Sequence, residues 1–256
     1  MHPRPQLLGV PVSVLTLSEA LSTIDQWISR REQRYVCTLD VHALMESQSN
    51  PEVRDIYRSA AMVTPDGMPL VWLLRRKGYH AANRVCGPDM MPALFHHSQG
   101  LGYRHFLYGS SEATLSLLQQ SLNRNYPRAD IVGRFSPPFR ALTDEEEQAV
   151  NRIVNAANPD IVWVGLGAPK QDRWMASHRA ALKAPVLIGV GAAFDMLAGR
   201  VRRPPRFVQR SGCEWMFRIA QEPRRLTKRY LESNSRFAAM VIGEELGLRR
   251  HQGDVQ

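Results

Sequence analysis

Cysteine is scarce in this chain of 256 residues. Cys37, Cys86 and Cys213 are odd in number, widely spaced and part of no zinc-type cluster, which excludes a disulfide framework and suits a reducing cytosol. Long apolar runs are missing too. The start, Met1-His2-Pro3-Arg4-Pro5, leads into no apolar h-region, so a cleaved secretion signal is not expected. The longest weakly polar stretch, Ala184 to Gly199, is glycine-rich and broken by Asp195, too short for a membrane span. There is no Gly-x4-Gly-Lys-Ser/Thr, no Gly-x-Ser-x-Gly and no His-Glu-x-x-His, which sets aside P-loop, nucleophile-elbow and zincin chemistry. An Asp-x-Asp triplet, whose paired carboxylates commonly hold a divalent metal against a diphosphate, is also absent, so no metal ligands are expected. Charge on any such leaving group would fall to arginines or helix dipoles. No repeat or low-complexity segment is present.

What stands out is a motif that occurs twice. Asp160 to Gly167 and Pro185 to Gly191 are apolar runs ending in Gly165-Leu166-Gly167 and Gly189-Val190-Gly191. Such runs read as strands buried on both faces of a parallel sheet. Glycine then admits φ > 0 and close approach of a ligand, and ligands of open α/β sheets gather at the carboxyl ends of strands. Two adjacent strand ends would make one crevice. Pro169 suits the first turn of a following helix, and Lys170 and Gln171 would face whatever binds there. A helix N-terminus beside a lysine favours an anion, and a phosphate is the expected one. The plainer alternative is a simple strand-to-helix connection, which the doubling makes less apt.

Charge is the second feature. The chain carries a formal net charge of +9, and nearly all of it resides between Arg200 and Leu231, where ten Lys/Arg face only Glu214 and Glu222. Phe207, Trp215, Met216, Phe217, Leu226 and Tyr230 interleave with these cations. That mixture fits a surface meeting anionic headgroups or phosphates; a merely solvated basic face would carry fewer aromatics.

Along the chain, Thr16-Leu17-Ser18-Glu19 and Thr143-Asp144-Glu145-Glu146 are capping boxes that start helices, the first ending near Arg31 and the second before Pro159. Strands are expected at Tyr35 to Leu39, from Met62, at His105 to Tyr108 and, at a sheet edge, at Ile131 to Gly133. Helices are expected at Ala43 to Gln48, Met68 to Lys77, Asp89 to His97 and from Ser111 with Leu115, Leu118 and Leu122 on one face. This alternation predicts an α/β fold with a Rossmann-like, doubly wound, mostly parallel sheet over residues 1–199, then a basic, mostly helical appendage over 200–256 whose last few residues fray.

The candidate general base is Asp66 in Thr64-Pro65-Asp66-Gly67 at a strand end, where the bland reading is a Pro-Asp-Gly turn. Thr38, Asp40 and His42 sit at another strand-to-helix junction and equally suit helix capping. Arg84 is either a site residue or a surface arginine, and Asp195 either caps a helix or holds a sugar or ribose hydroxyl. A nicotinamide-dependent oxidoreductase also fits a Gly-x-Gly turn, but Ala168, Pro169 and Lys170 stand where the dinucleotide fingerprint wants its third glycine. A nucleic-acid-binding module would use the basic stretch, but it leaves Asp66 and both turns unexplained, so nucleic acid is not the expected partner.

At these residues the sequence resembles the WecG/TagA/CpsF glycosyltransferases, bacterial enzymes of surface-polysaccharide and teichoic-acid assembly. The resemblance runs from about Val10 to Tyr230. It is carried by Thr64 to Pro69, Gly165 to Trp174, Gly189 to Asp195, and Glu214 to Leu226. It implies transfer, with inversion and without a metal or other cofactor, from a UDP-sugar donor to an undecaprenyl-diphosphate-linked sugar at the cytoplasmic face of the membrane. It also implies that Asp66 is the base, that Thr38, Arg84 and Gln171 neighbour it, and that Arg218 and Arg225 complete the site and grip lipid diphosphate. The next such position falls on Lys228, where a point charge replaces a guanidinium fork. Asp40 stands where the family usually has asparagine. N-acetylmannosamine is the family's best-known donor sugar, with glucose and other hexoses as alternatives, and a homo-oligomer is left open.

Overall fold

The computed structural model describes residues 2–246. The chain opens with a hairpin of β1 (Gln6–Leu7) and β2 (Val10–Pro11), turned by Leu8 and Gly9, both at positive φ. Then come α1 (Leu17–Ser29), β3 (Arg34–Leu39), α2 (Val41–Ser49), α3 (Pro51–Ser59), β4 (Met62–Pro65), α4 (Met68–Arg76) and α5 (Gly87–Ser98). The second half runs β5 (Arg104–Gly109), α6 (Glu112–Asn125), β6 (Asp130–Phe135), α7 (Asp144–Ala157), β7 (Ile161–Gly165), α8 (Lys170–His178), β8 (Val186–Gly189) and α9 (Ala193–Leu197). It ends in α10 (Arg206–Arg210), α11 (Glu214–Gln221) and α12 (Pro223–Glu245).

Six strands form one sheet in the order β4-β3-β8-β7-β5-β6, every pair parallel. Alternate side chains feed two cores. Tyr35, Cys37 and Leu39 of β3 and Val162 and Val164 of β7 join Leu44, Tyr57, Leu70 and Met175 on one face. Val36, Ile161 and Trp163 join Ile24, Phe95, Leu118 and Phe194 on the other. Burial on both faces is why these strands read as unbroken apolar runs. The expected α/β class, parallel sheet and helical extensions are therefore present. Both capping boxes form, and β6 lies at the sheet edge, three residues longer than Ile131 to Gly133. The expected fraying falls on the last residues, outside the described ones.

Helix α3 and the β1–β2 hairpin were not expected. Helix α3 begins with Pro51 just inside the cap Asn50, whose side chain accepts from Val53 N–H, a start signal that is present in the sequence. The β1–β2 hairpin is only two residues a side, too short for a period to register. Helix α12 lies on the core: Leu226 is buried, Phe237, Met240 and Val241 pack against the α2–α4 side, and Lys77 Nζ meets Glu244 Oε1 at 2.7 Å.

The strand ends that will matter are tightly built. Gly109 ends β5 at φ 114°, and a Cβ there would stand 2.8 Å from the carbonyl carbon of Gly165. Gly109→Ala is therefore expected to destabilise the fold by about 1–3 kcal/mol from backbone strain alone, read as a lower urea midpoint at unchanged slope. A midpoint equal to wild type would show that the two strand ends can part freely.

Candidate active site

The carboxyl ends of all six strands open into one cleft of about 750 Å³. Strand β4 delivers Asp66 to it, β3 delivers Thr38 and Asp40, β7 and β8 deliver Gly165, Gly167 and Gly191, and the start of α8 delivers Lys170 and Gln171. Asp195 enters from α9, Arg218 from α11 and Arg225 from α12. Since β7 pairs with β8, the two glycine turns do form a single crevice.

Within each Gly-x-Gly the two glycines do different work. Gly167 and Gly191 take the positive φ values of 78° and 51° that the turns require. Gly165 instead makes room for packing, since a Cβ there would run into the Phe194 ring. Gly189 does not line the cleft: a Cβ would meet Met175 and Gln171, and its carbonyl accepts from the Thr38 hydroxyl at 2.9 Å. Gln171 lines the cleft as expected and has a structural task besides. It is 1% exposed, and its Oε1 accepts from both Gly167 N–H (3.2 Å) and Gly191 N–H (2.9 Å), so its oxygen braces the two turns together. Pro169 precedes α8 by one residue, and Lys170 is the exposed cation of the turn.

Asp66 is fixed by its N–H, which donates to Leu39 O at 2.9 Å and ties the end of β4 to β3. Burial pushes its carboxyl up to about 7; Glu214 and Asp40 add to the rise, while Arg84 and Arg218 oppose it. A carboxylate titrating near neutrality suits general-base work. Asp40 has two tasks: it accepts from Ala43 N–H at 2.7 Å as the cap of α2, and its other oxygen lies 3.6 Å from Arg229. His42, also at this junction, meets Ser233 Oγ at 2.9 Å rather than the cleft.

Besides Gly189, two more expected site residues lie outside the cleft lining. Arg84 is nearly buried, with Nη1 donating to Glu214 Oε2 at 2.5 Å and Nη2 to Gln209 Oε1 at 2.7 Å. Lys228 is 87% exposed and pairs loosely with Glu232 at 3.9 Å, while its neighbour Arg229 lines the cleft. Helical geometry explains the exchange. The cleft face of α12 is set by Arg225 and Leu226, and positions 229 and 230 recur one turn on, whereas 228 falls to the other side.

Sequence reasoning missed Glu214, Arg229 and the whole β5–β6 end of the cleft. There Tyr108 stacks on Trp174 at 3.9 Å, Ser110 holds φ 60°, and residues 137–142 line the cleft, with Phe139 almost fully exposed. The Trp174 indole N–H is buried without an acceptor. The Pro137-Pro138 pair was the one available signal of a built loop.

A near-neutral carboxylate, glycine turns at a helix start and several guanidinium groups along one cleft make a site that can deprotonate a hydroxyl beside a bound anion. The chain matches the glycosyl transferase WecG/TagA/CpsF family over residues 5–251. It is also 26% identical over 225 residues to an N-acetylglucosaminyldiphosphoundecaprenol N-acetyl-beta-D-mannosaminyltransferase of Bacillus spizizenii, an alignment covering 88% of this chain and 85% of that protein. With nearly its whole length matched, this chain belongs to the WecG/TagA/CpsF family of glycosyl transferases.

Proposed function

We propose that the protein moves a hexose or N-acetylhexosamine from a UDP-sugar to an undecaprenyl-diphosphate-linked sugar, with inversion and without a metal, in exopolysaccharide or cell-wall glycan synthesis. The observation that carries this reading is the near-neutral Asp66 in a cleft that also holds Arg218, Arg225 and Arg229. Asp66 takes the proton of the acceptor hydroxyl as that oxygen attacks the anomeric carbon, and the C–O bond to UDP breaks on the opposite face of the sugar. The glycine turns and Lys170 receive the diphosphate in a Rossmann-like manner, Asp195 takes a hydroxyl, and the arginines offset charge developing on the departing UDP. Thr38 and Gln171 hold the strand ends in register.

The segment from residue 200 onward acts as a membrane-proximal appendage, placing the protein at the inner face of the plasma membrane. Exposed Phe207, Met216 and Leu231 among the arginines support that placement, although no described helix is long and apolar enough to cross a membrane.

The test is UDP release from a panel of UDP-sugars with a short-chain polyprenyl-diphosphate sugar as acceptor, in EDTA. Acceptor-dependent release that survives chelation supports the reading and names the donor; silence across a broad panel refutes it. In the same assay Arg229→Ala is expected to lower kcat/KM about tenfold or more, the effect of removing a charged group from a desolvated anion, whereas Lys228→Ala stays within about twofold, as for an exposed ion pair. The reverse ranking would show that α12 turns its other side to the substrate.

A further inference from the structure

One of the carboxylates that line the cleft and act on Asp66, Glu214, has no part in the reaction as proposed. Glu214 opens α11, lines the cleft and receives Arg84 Nη1 at 2.5 Å. It belongs to a knot of charges. Arg84 Nη2 donates to Gln209 of α10 and lies 3.4 Å from Asp89, and Arg203 reaches Asp89 Oδ1 at 2.5 Å and Gln209 Oε1 at 3.1 Å. Helix α11 buries none of its residues fully, so its seat depends on such polar contacts more than on core packing. Arg218 stands four residues after Glu214, on the same side of the helix, and both line the cleft. Whatever fixes Glu214 therefore fixes where Arg218 enters.

We propose that Glu214 is a positioning residue of the transfer reaction: gripped by Arg84, it seats α11 so that Arg218 faces Asp66, and it keeps a negative charge beside that base. This rests on the transferase reading. It also gives Arg84 a role that does not require it to touch substrate, since its guanidinium is already engaged by Glu214, Gln209 and Asp89.

The electrostatic half of the proposal has a defined sign. The groups acting on Asp66 are Glu214, Arg218 and Tyr230 from the carboxy-terminal helices, Asp40 from the β3–α2 junction, and Arg84 and Cys86 from the segment before α5. Glu214 and Asp40 raise it; Arg84 and Arg218 lower it. Removing the Glu214 charge subtracts one raising influence and leaves Arg84 less compensated. Asp66 then becomes a weaker base that ionises at lower pH.

Two variants separate the functions. Glu214→Gln keeps an oxygen for Arg84 and loses the charge, while Glu214→Ala loses both. The first measurement needs no substrate: the carboxyl 13C titration of Asp66, assigned by its disappearance in Asp66→Asn. In Glu214→Gln the midpoint is expected to fall by about half a pH unit or more, and the acid limb of kcat/KM to move with it. In Glu214→Ala, kcat/KM is expected to fall about tenfold or more, with the melting temperature reporting whether the fold persists. An Asp66 titration in Glu214→Gln that superimposes on wild type overturns the proposal, as does a Glu214→Ala enzyme with wild-type kcat/KM. If wild type itself releases no UDP from any donor, it is the transferase reading that fails, and the titration still decides whether Glu214 acts on Asp66.

Discussion

Asp66→Asn is expected to lower kcat/KM by about 10²- to 10⁴-fold, the range for loss of a positioned general base, while making the folded protein more stable at pH 8. The first half follows from chemistry. Asparagine fills the same space and leaves the Asp66 N–H bond to Leu39 O available, but its amide cannot accept the proton of the attacking hydroxyl. The second half follows from linkage. The folded carboxyl titrates at about 7 against an ordinary 3.8, so between those values the native state binds more protons than the unfolded chain. Stability is then greatest below the unfolded value, declines as pH rises through the folded one, and is lowest above it. Asparagine carries no such penalty. Its stabilising effect should be largest above pH 7 and vanish below about pH 4, which thermal melts across pH will read. For the same reason the wild-type rate should fall on the acid side of about pH 7. A variant with wild-type turnover, or an acid limb far below neutrality, would remove Asp66 from the role of base.

What was legible in the sequence was what local chemistry writes into it. The two Gly-x-Gly turns were readable because a buried parallel strand must be apolar throughout and a sharp exit needs positive φ, and Gly167 and Gly191 meet that need. The capping boxes at Thr16 and Thr143 were readable because both partners lie within one turn. What failed to show depends on contacts between distant segments. Gln171 looked like a ligand residue because it follows a turn; that its oxygen bonds Gly191, twenty residues on, appears only once β7 and β8 lie side by side. Glu214 read as one of two acids diluting a basic stretch, because Arg84, its partner, is 130 residues away. Lys228 and Arg229 are adjacent cations in the sequence, and only the face of α12 fixed by buried Leu226 separates them.

Arg218→Ala is the second large effect, an expected loss of about 10²–10³ in kcat, the range for removing one preorganised donor from developing negative charge. Arg218 enters the cleft from α11 with only 15% of its side chain exposed, and its Nε is buried without a partner. Its one described carboxylate contact, Glu222 Oε2, is long at 3.4 Å, so most of the fork's donor capacity is uncommitted. A largely desolvated guanidinium in that state interacts weakly with a neutral sugar and strongly with a diphosphate gaining charge as its bond to the sugar breaks. The loss should therefore fall mainly on kcat, with the dissociation constant for UDP-sugar changing much less, because the interaction strengthens in the transition state. Arg218→Lys should recover only part of the rate, since a point charge cannot reproduce the planar fork. If binding and kcat/KM weaken by the same factor with kcat unchanged, Arg218 serves uniform binding, and charge on the departing UDP must then be met by Arg225 or Arg229 instead.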